Sequence, residues 1–201
     1  MDISGKTALV TGANRGLGRH LAGQLRDRGA TVYAAARDVA ILVNNAGSGT
    51  GASLLTGDLA DIRLEMDTHV FGTLAVTRAF GPQLGEHEQS AILNVLSVLS
   101  WVSLPDVGAY CAAKAAEWSL TNALRQELAP RGTRVTSLHV GYMDTDMARN
   151  VDAPKADPAD IARMALDGIE AGDTEIVADE ISKQVLAGLS AGVRGLYPQV
   201  A

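Results

Sequence analysis

A chain of 201 residues that is 47% hydrophobic and 20% charged carries enough apolar material for the packed core of one domain, taken as residues 1–201. A net charge of −6, with a pI near 5.1, excludes the clustered basic surface that nucleic acid or an anionic membrane demands. The single cysteine, Cys111, excludes an intrachain disulfide, and the scattered His20, His69, His87 and His139 offer no metal-ligand spacing.

The opening MDISGKTALV has no basic region followed by an apolar one, so no signal peptide is read. No apolar run approaches the ~18 residues of a membrane span. The expectation is a cytoplasmic protein.

In chain order, KTALVTG (6–12) is a short apolar run ending at glycine, read as a buried strand over about 6–11. The next segment has helical spacing: Leu17, Leu21 and Leu25 share a face, and Gly29 stands where a C-terminal cap belongs. TVYAAAR (31–37) and AILVNNAG (40–47) are read as the second and third strands, followed by a long helical stretch over about 57–84. SAILNVLS (90–97) is a strand, residues 108–129 a helix and TRVTSLHVG (133–141) a strand. DPADIARMALDGIEAG (157–172) is a helix with an Asp-Pro start and a glycine stop, and EIVAD (175–179) a last strand. Strands alternating with long helices predict an α/β fold, a Rossmann-like doubly wound parallel sheet. Such a sheet is covered on both faces, so its strands are apolar runs and not alternations.

Thr11-Gly12-Ala13-Asn14-Arg15-Gly16-Leu17-Gly18 joins the first strand to the first helix. Free amides and the dipole at a helix start favour a phosphate there, and glycines let the backbone approach a pyrophosphate. The tip of the second strand selects the dinucleotide. An NAD site places an acid near there. Here the strand ends Ala36-Arg37, and Arg15 lies in the glycine turn. Two guanidiniums at these points would clamp a 2′-phosphate, favouring NADP over NAD. The competing readings are two solvated arginines, or a pairing with Asp38.

Tyr110 and Lys114 are four residues apart and share a helix face. A phenol of pKa ~10 is a poor acid/base at neutral pH, and a neighbouring ammonium lowers that pKa. The pair is suited to give a proton to a carbonyl that is receiving a hydride, although a surface tyrosine–lysine pair has the same spacing.

The glycine turn TGxxxGxG, NNAG at Asn44–Gly47, Ser97 thirteen residues before the tyrosine, and YxxxK occur together and in order. In this the chain resembles the short-chain dehydrogenase/reductase family over nearly its whole length, NADP-preferring carbonyl reductases in particular. GYMDTDM (141–147) resembles the family's segment near the nicotinamide. The resemblance implies these roles. Tyr110 is the general acid in reduction and base in oxidation; Lys114 lowers its pKa and holds the nicotinamide ribose; Ser97 positions the substrate oxygen. Gly12, Asn14, Arg15, Gly16, Leu17, Gly18 and Arg37 take the phosphate end of the cofactor. Asn45, Ala46 and Gly47 line its adenosine half, and Thr145 contacts it near the carboxamide or pyrophosphate. It also implies a homodimer or homotetramer built on the helices at 57–84 and 108–129. Cys111 is read as a small helix residue.

Three departures from the family stand out. His69 takes the place of its fourth catalytic residue, an asparagine whose backbone carbonyl helps hold a water, and either joins a proton relay or makes a local hydrogen bond. Val140-Gly141 replaces Pro-Gly, restoring an N–H that needs a partner. Finally, AAAR and ILVNNAG are separated only by the stretch between 37 and 41, where the family has a helix, an edge strand and another helix. A return along a strand of ~17 Å and across two inter-strand gaps exceeds the ~18 Å reach of five Cα steps. Either several dozen residues are left out of this chain between 37 and 41, which the intact flanks favour, or the deletion is true and the sheet rearranged. The family's third strand is missing either way.

The leading function is an NADP-dependent oxidoreductase interconverting a carbonyl compound and an alcohol. A second class is a cofactor-binding regulator without turnover on the same fold. A third is a serine hydrolase, since Gly188–Gly192 fits GxSxG, although the segment before Ser190 looks helical and no histidine comes after it. Tyr142, Met143, Met147 and Val151, with Trp101 and Leu104, suggest an apolar pocket for a small to medium carbonyl compound, or core packing beneath a loop.

Overall fold

A computed structural model describes residues 1–33 and 39–200. Six strands form one parallel sheet: β1 (Thr7–Val10), β2 (Thr31–Tyr33), β3 (Ile41–Asn44), β4 (Ser90–Val95), β5 (Thr133–His139) and β6 (Glu175–Val177), in the order β2-β1-β3-β4-β5-β6. Successive residues of each strand point to opposite faces, and both faces are covered. On one, Ala8, Val10, Ile41, Val43, Leu93 and Leu138 pack against α1 (Gly16–Asp27) and α5 (Pro158–Ala171). On the other, Leu9, Leu42, Ile92 and Val135 pack against α3 (Thr73–Leu84) and α4 (Gly108–Leu128). This is the doubly wound, Rossmann-like arrangement.

Local chemistry sets the element ends. Asp157 caps α5 by accepting from the Ala159 amide at 2.7 Å, Pro158 opens it, and Gly172 ends it at φ +86°, a left-handed conformation that disfavours a side chain. The region read as one helix over 57–84 is three pieces. α2 (Leu59–Met66), capped by Asp58, passes into a wide π turn at Asp67–Gly72 and then into α3. Strands β3, β4, β5 and β6 all end before the segments that predict them do. The chain leaves the sheet after Asn44, Val95 and Val177 to form the loops of the crevice and the start of α6 (Glu180–Gly188).

The GxSxG motif is not a nucleophile elbow. Leu189–Ala191 is a single 3-10 turn between α6 and α7 (Gly192–Leu196), with no strand before it, and Ser190 is exposed. The hydrolase reading falls with it. The restored amide beside Val140 is accounted for: Gly141 N–H donates to Asp179 Oδ2, on the residue that also caps α6.

β2 and β3 flank β1 on opposite sides, and β2 is an edge strand among the described residues. Arg37 and Asp38 lie outside those residues, as does most of the junction. The register asks for a shorter return than a whole strand. Tyr33 is level with Leu9, and the Ala40 amide already donates to Thr7 O at 2.9 Å. Tyr33 and Ala40 are thus offset along the strands by only about two residues, ~7 Å.

Candidate active site

Because the chain leaves β1 toward β2 on one side and returns as β3 on the other, a crevice opens beyond the C-terminal ends of β1 and β3. The loops after β1, β3, β4 and β5 all end there, carrying Gly12–Gly18, Asn45–Gly47, Ser97 and Gly141–Thr145.

The glycine turn is tied down from below. Thr11 Oγ1 accepts from the Asn45 and Ala46 amides, both at 3.0 Å, and Asn45 Nδ2 donates to Thr11 O at 3.0 Å and Gly12 O at 3.3 Å. Asn45 therefore acts here as a brace between loops. A Cβ at Gly18 would collide with that same Nδ2 and with Gly12 O, and Gly12 and Gly16 sit at φ +64° and +50°. α1 begins with no side-chain cap and no acid in its first turn, leaving its leading amides for an outside anion. Asn14 and Arg15 are exposed beside them, and Thr145 stands over Gly16. Arg15 reaches Asp146 Oδ2 at 3.8 Å, a solvent-exposed pair.

Ser97, Tyr110, Lys114 and His69 come together at the head of α4. The Tyr110 ring meets His69 edge-on with centroids 5.2 Å apart, and Lys114 Nζ lies 5.8 Å from the Tyr110 centroid. Ser97 acts on the Tyr110 hydroxyl in the sense that lowers its pKa, and its Oγ accepts from the Leu99 amide at 3.1 Å. Lys114 is buried, and its ammonium donates to Val95 O at 2.8 Å and to Glu117 Oε2 at 2.7 Å. Burial works against that charge, but Glu117, with help from Tyr110 and Glu65, outweighs it and holds the lysine pKa above its usual value.

Lys114 lowers the Tyr110 pKa as expected, but the phenol as a whole is not made more acidic. Burial pushes the phenol up; Lys114 and the Ser97 hydrogen bond pull it down, Glu117 and Glu65 push it up again, and the balance lies above the ordinary value. The lysine acts in the expected sense and is outweighed.

Two carboxylates outside the sequence motifs complete the cluster. Glu65, fully buried, accepts from Ser48 Oγ at 2.8 Å and the Thr50 amide at 2.6 Å and lies 3.2 Å from His69 Nε2. Burial alone would raise its pKa, but the hydrogen bonds from His69, Thr50 and Ser48 together lower it to about 2. Glu117, 2% exposed, accepts from Thr73 Oγ1 at 3.0 Å and lies 3.8 Å from His69 Nδ1. His69 Nε2 also lies 3.0 Å from Ser48 O, so the histidine has the local hydrogen bond that was one of its two readings. Their spacings were the available signal: Glu65 is four residues before His69, and Glu117 three after Lys114.

Behind Ser97, His139 stacks on Trp101 at 3.8 Å and donates from Nδ1 to Ser97 O at 3.3 Å; burial lowers its pKa to about 4. Trp101 is thus core, whereas Leu104, Tyr142 and Met147 are exposed around the crevice. Cys111 is buried, which pushes its thiol pKa up, and its sulfur accepts from the Leu104 amide. A cavity of about 410 Å³ lined by Thr50–Ser53, Thr56, Gly57, Asp61 and Asp106 lies to one side. No described helix is long and apolar enough to cross a membrane, and no metal-holding cluster occurs among the described residues.

Against known proteins, residues 30–156 match the family model described as short chain dehydrogenase. The chain is 27% identical to an uncharacterised oxidoreductase of Staphylococcus saprophyticus, over 83% of this chain and 92% of the relative. That alignment runs over 214 positions, whereas 83% of 201 residues is about 167, so about 47 positions of the relative face no residue here. It is 32% identical to dehydrogenase/reductase SDR family member 7B of Xenopus laevis, over 74% of this chain but only 41% of that protein. Among solved structures, a short chain dehydrogenase from Burkholderia cenocepacia in complex with NADP is 35% identical, with a TM-score of 0.93 over 99% of both chains.

Proposed function

The chain belongs to the short chain dehydrogenase family, and from that premise we propose that it is an NADP-dependent oxidoreductase interconverting a carbonyl compound and an alcohol. The observation that carries this reading is the convergence of Ser97, Tyr110 and Lys114 beside a crevice whose floor is the uncapped start of α1. The residues present fit a dinucleotide: positive-φ glycines, free leading amides and exposed Asn14 and Arg15 suit a pyrophosphate. Gly12 to Gly18, Ala46, Gly47 and Thr145 would hold it. When bound, it supplies a ring that gives or takes a hydride.

The chain's own groups do the rest. Tyr110 hands its proton to the substrate oxygen as the carbonyl carbon is reduced, and takes it back in the reverse direction. Ser97 orients that oxygen. Lys114 has three N–H donors, two of them engaged by Val95 and Glu117, which leaves one for a ribose hydroxyl. Exposed Arg15 and the NADP complex of the Burkholderia protein support NADP over NAD. Exposed Leu59, Leu64 and Phe71 on the α2–π segment support association of copies of this chain into a dimer or tetramer, to be read by sedimentation.

The test is fluorescence titration with NADPH and NADH, followed by nicotinamide absorbance with a panel of aldehydes and ketones, on wild type and Tyr110→Phe. The expected results are tighter NADPH binding, turnover with at least one carbonyl, and a loss of roughly 10²- to 10⁴-fold in the variant. Full turnover without the Tyr110 hydroxyl overturns the mechanism. Cofactor binding with no turnover in the panel supports the regulator reading instead.

A further inference from the structure

Glu117 is held in one place. It is buried on α4, its Oε1 takes the Thr73 hydroxyl at 3.0 Å, and its Oε2 takes the Lys114 ammonium at 2.7 Å. Lys114 also stands 5.8 Å from the Tyr110 ring centroid, so two acids on the same helix lean on one cation. A buried cation cannot serve two anions equally, and the carboxylate has the short, direct bond.

From this geometry, and resting on the oxidoreductase reading above, we propose that Glu117 is a positioning residue that claims the charge of Lys114, keeps Tyr110 protonated at rest and so sets the site to work as a proton donor in carbonyl reduction.

The groups that face Tyr110 and Lys114 come from every neighbouring element. They are Glu65 on α2, His69 in the π turn, Thr73 on α3, the Val95 carbonyl at the end of β4, Ser97 just beyond it and His139 behind Ser97. Among the described residues of this set, Lys114 is the lysine or arginine present; Glu117 bonds it directly, and Glu65 acts on it from farther off through its charge. The direction of the Tyr110 shift agrees: Glu117 and Glu65 both add to the effect of burial.

In reduction, the Tyr110 O–H bond breaks and a substrate O–H bond forms while the carbonyl carbon accepts a hydride with its electron pair. The phenolate left behind regains a proton from solvent. In oxidation the phenolate must exist first, so that direction needs a higher pH. Glu117 alters these rates and their pH dependence, and leaves the overall equilibrium untouched.

The experiment is a pH titration of cofactor-free protein carrying ¹³C at tyrosine Cζ, with the Tyr110 resonance identified by its loss in Tyr110→Phe. In Glu117→Gln the Tyr110 midpoint is expected to fall by about one pH unit, or its transition to enter the accessible range from above. Glu117→Asp, which keeps the charge but draws it back, is expected to fall between. In active protein, the pH limb for alcohol oxidation moves down by the same amount in Glu117→Gln. A midpoint that stays or rises in folded Glu117→Gln overturns the proposal, as does the absence of any transition below alkaline unfolding in every variant. Should Glu117→Gln not fold, an unmoved midpoint in Glu117→Asp overturns it. A moving resonance in protein without turnover removes the oxidoreductase reading and leaves the Glu117–Lys114–Tyr110 coupling standing. Turnover with a static resonance removes the role of Glu117 alone.

Discussion

Glu65 is buried beneath the crevice with a pKa lowered from 4.5 to about 2, and the structure converts this into an acid-sensitivity that one substitution should erase. A carboxyl group whose pKa is depressed on folding stabilises the fold above its unfolded pKa and loses that contribution as pH falls through the folded value. A difference of 2.5 between the two values corresponds to about 3 kcal/mol at neutral pH. About 1 kcal/mol of it is gone by pH 4 and about 2 kcal/mol by pH 3. Against a total stability of roughly 5–15 kcal/mol this is a large share. The perturbation is Glu65→Gln, which keeps the shape and one acceptor for the Thr50 amide. Urea unfolding of both proteins, followed by fluorescence of Trp101 and Trp118, gives the stability gap at pH 7, 5, 4 and 3. The gap should be widest at pH 7 and close by about 2 kcal/mol toward pH 3. A gap constant with pH would mean that Glu65 gains nothing from being ionised, and the account of the buried cluster would be wrong.

His139 predicts a separate, higher window. Its pKa falls from 6.5 to about 4 on folding, so the unfolded chain takes up a proton first and stability declines as pH drops from about 6.5 to 4; His139→Phe should flatten that limb in the same urea series. Arg15→Ala should weaken NADPH by about tenfold and NADH little, read by fluorescence titration, because its weak exposed pair with Asp146 does not compete with a 2′-phosphate. Gly18→Ala should lower thermal stability by roughly 1–3 kcal/mol and impair binding of either cofactor, since the added methyl meets Asn45 and the Gly12 carbonyl; an unchanged melting temperature would contradict the close packing of those loops.

Much of this site was legible before any coordinates. The glycine turn, Ser97, Tyr110 and Lys114 depend on local chemistry, a strand-turn-helix order and an i,i+4 spacing, and such features survive translation from sequence to space. The sign of the Tyr110 shift was not legible, because it comes from burial and from Glu65 and Glu117, two acids 52 positions apart in the chain that meet only when α2 packs on α4. Glu117 reads in sequence as one more charge on a helix of mixed composition. The GxSxG at 188–192 failed for the opposite reason: its letters match, but the strand that gives the motif its mechanics is absent. The NADP preference rests half on Arg15, exposed in the turn, and half on Arg37, which lies outside the described residues.

The π turn at Asp67–Gly72 fixes the rotational phase of α3. An α-helix advances about 100° per residue, so adding residues to that turn would swing the helix beyond it through about a quarter of a circle for each one. Thr73 would leave Glu117, and Thr77 would leave the Asn44 side chain that it now meets at 3.2 Å. The segment should therefore accept changes of residue type far more readily than changes of length.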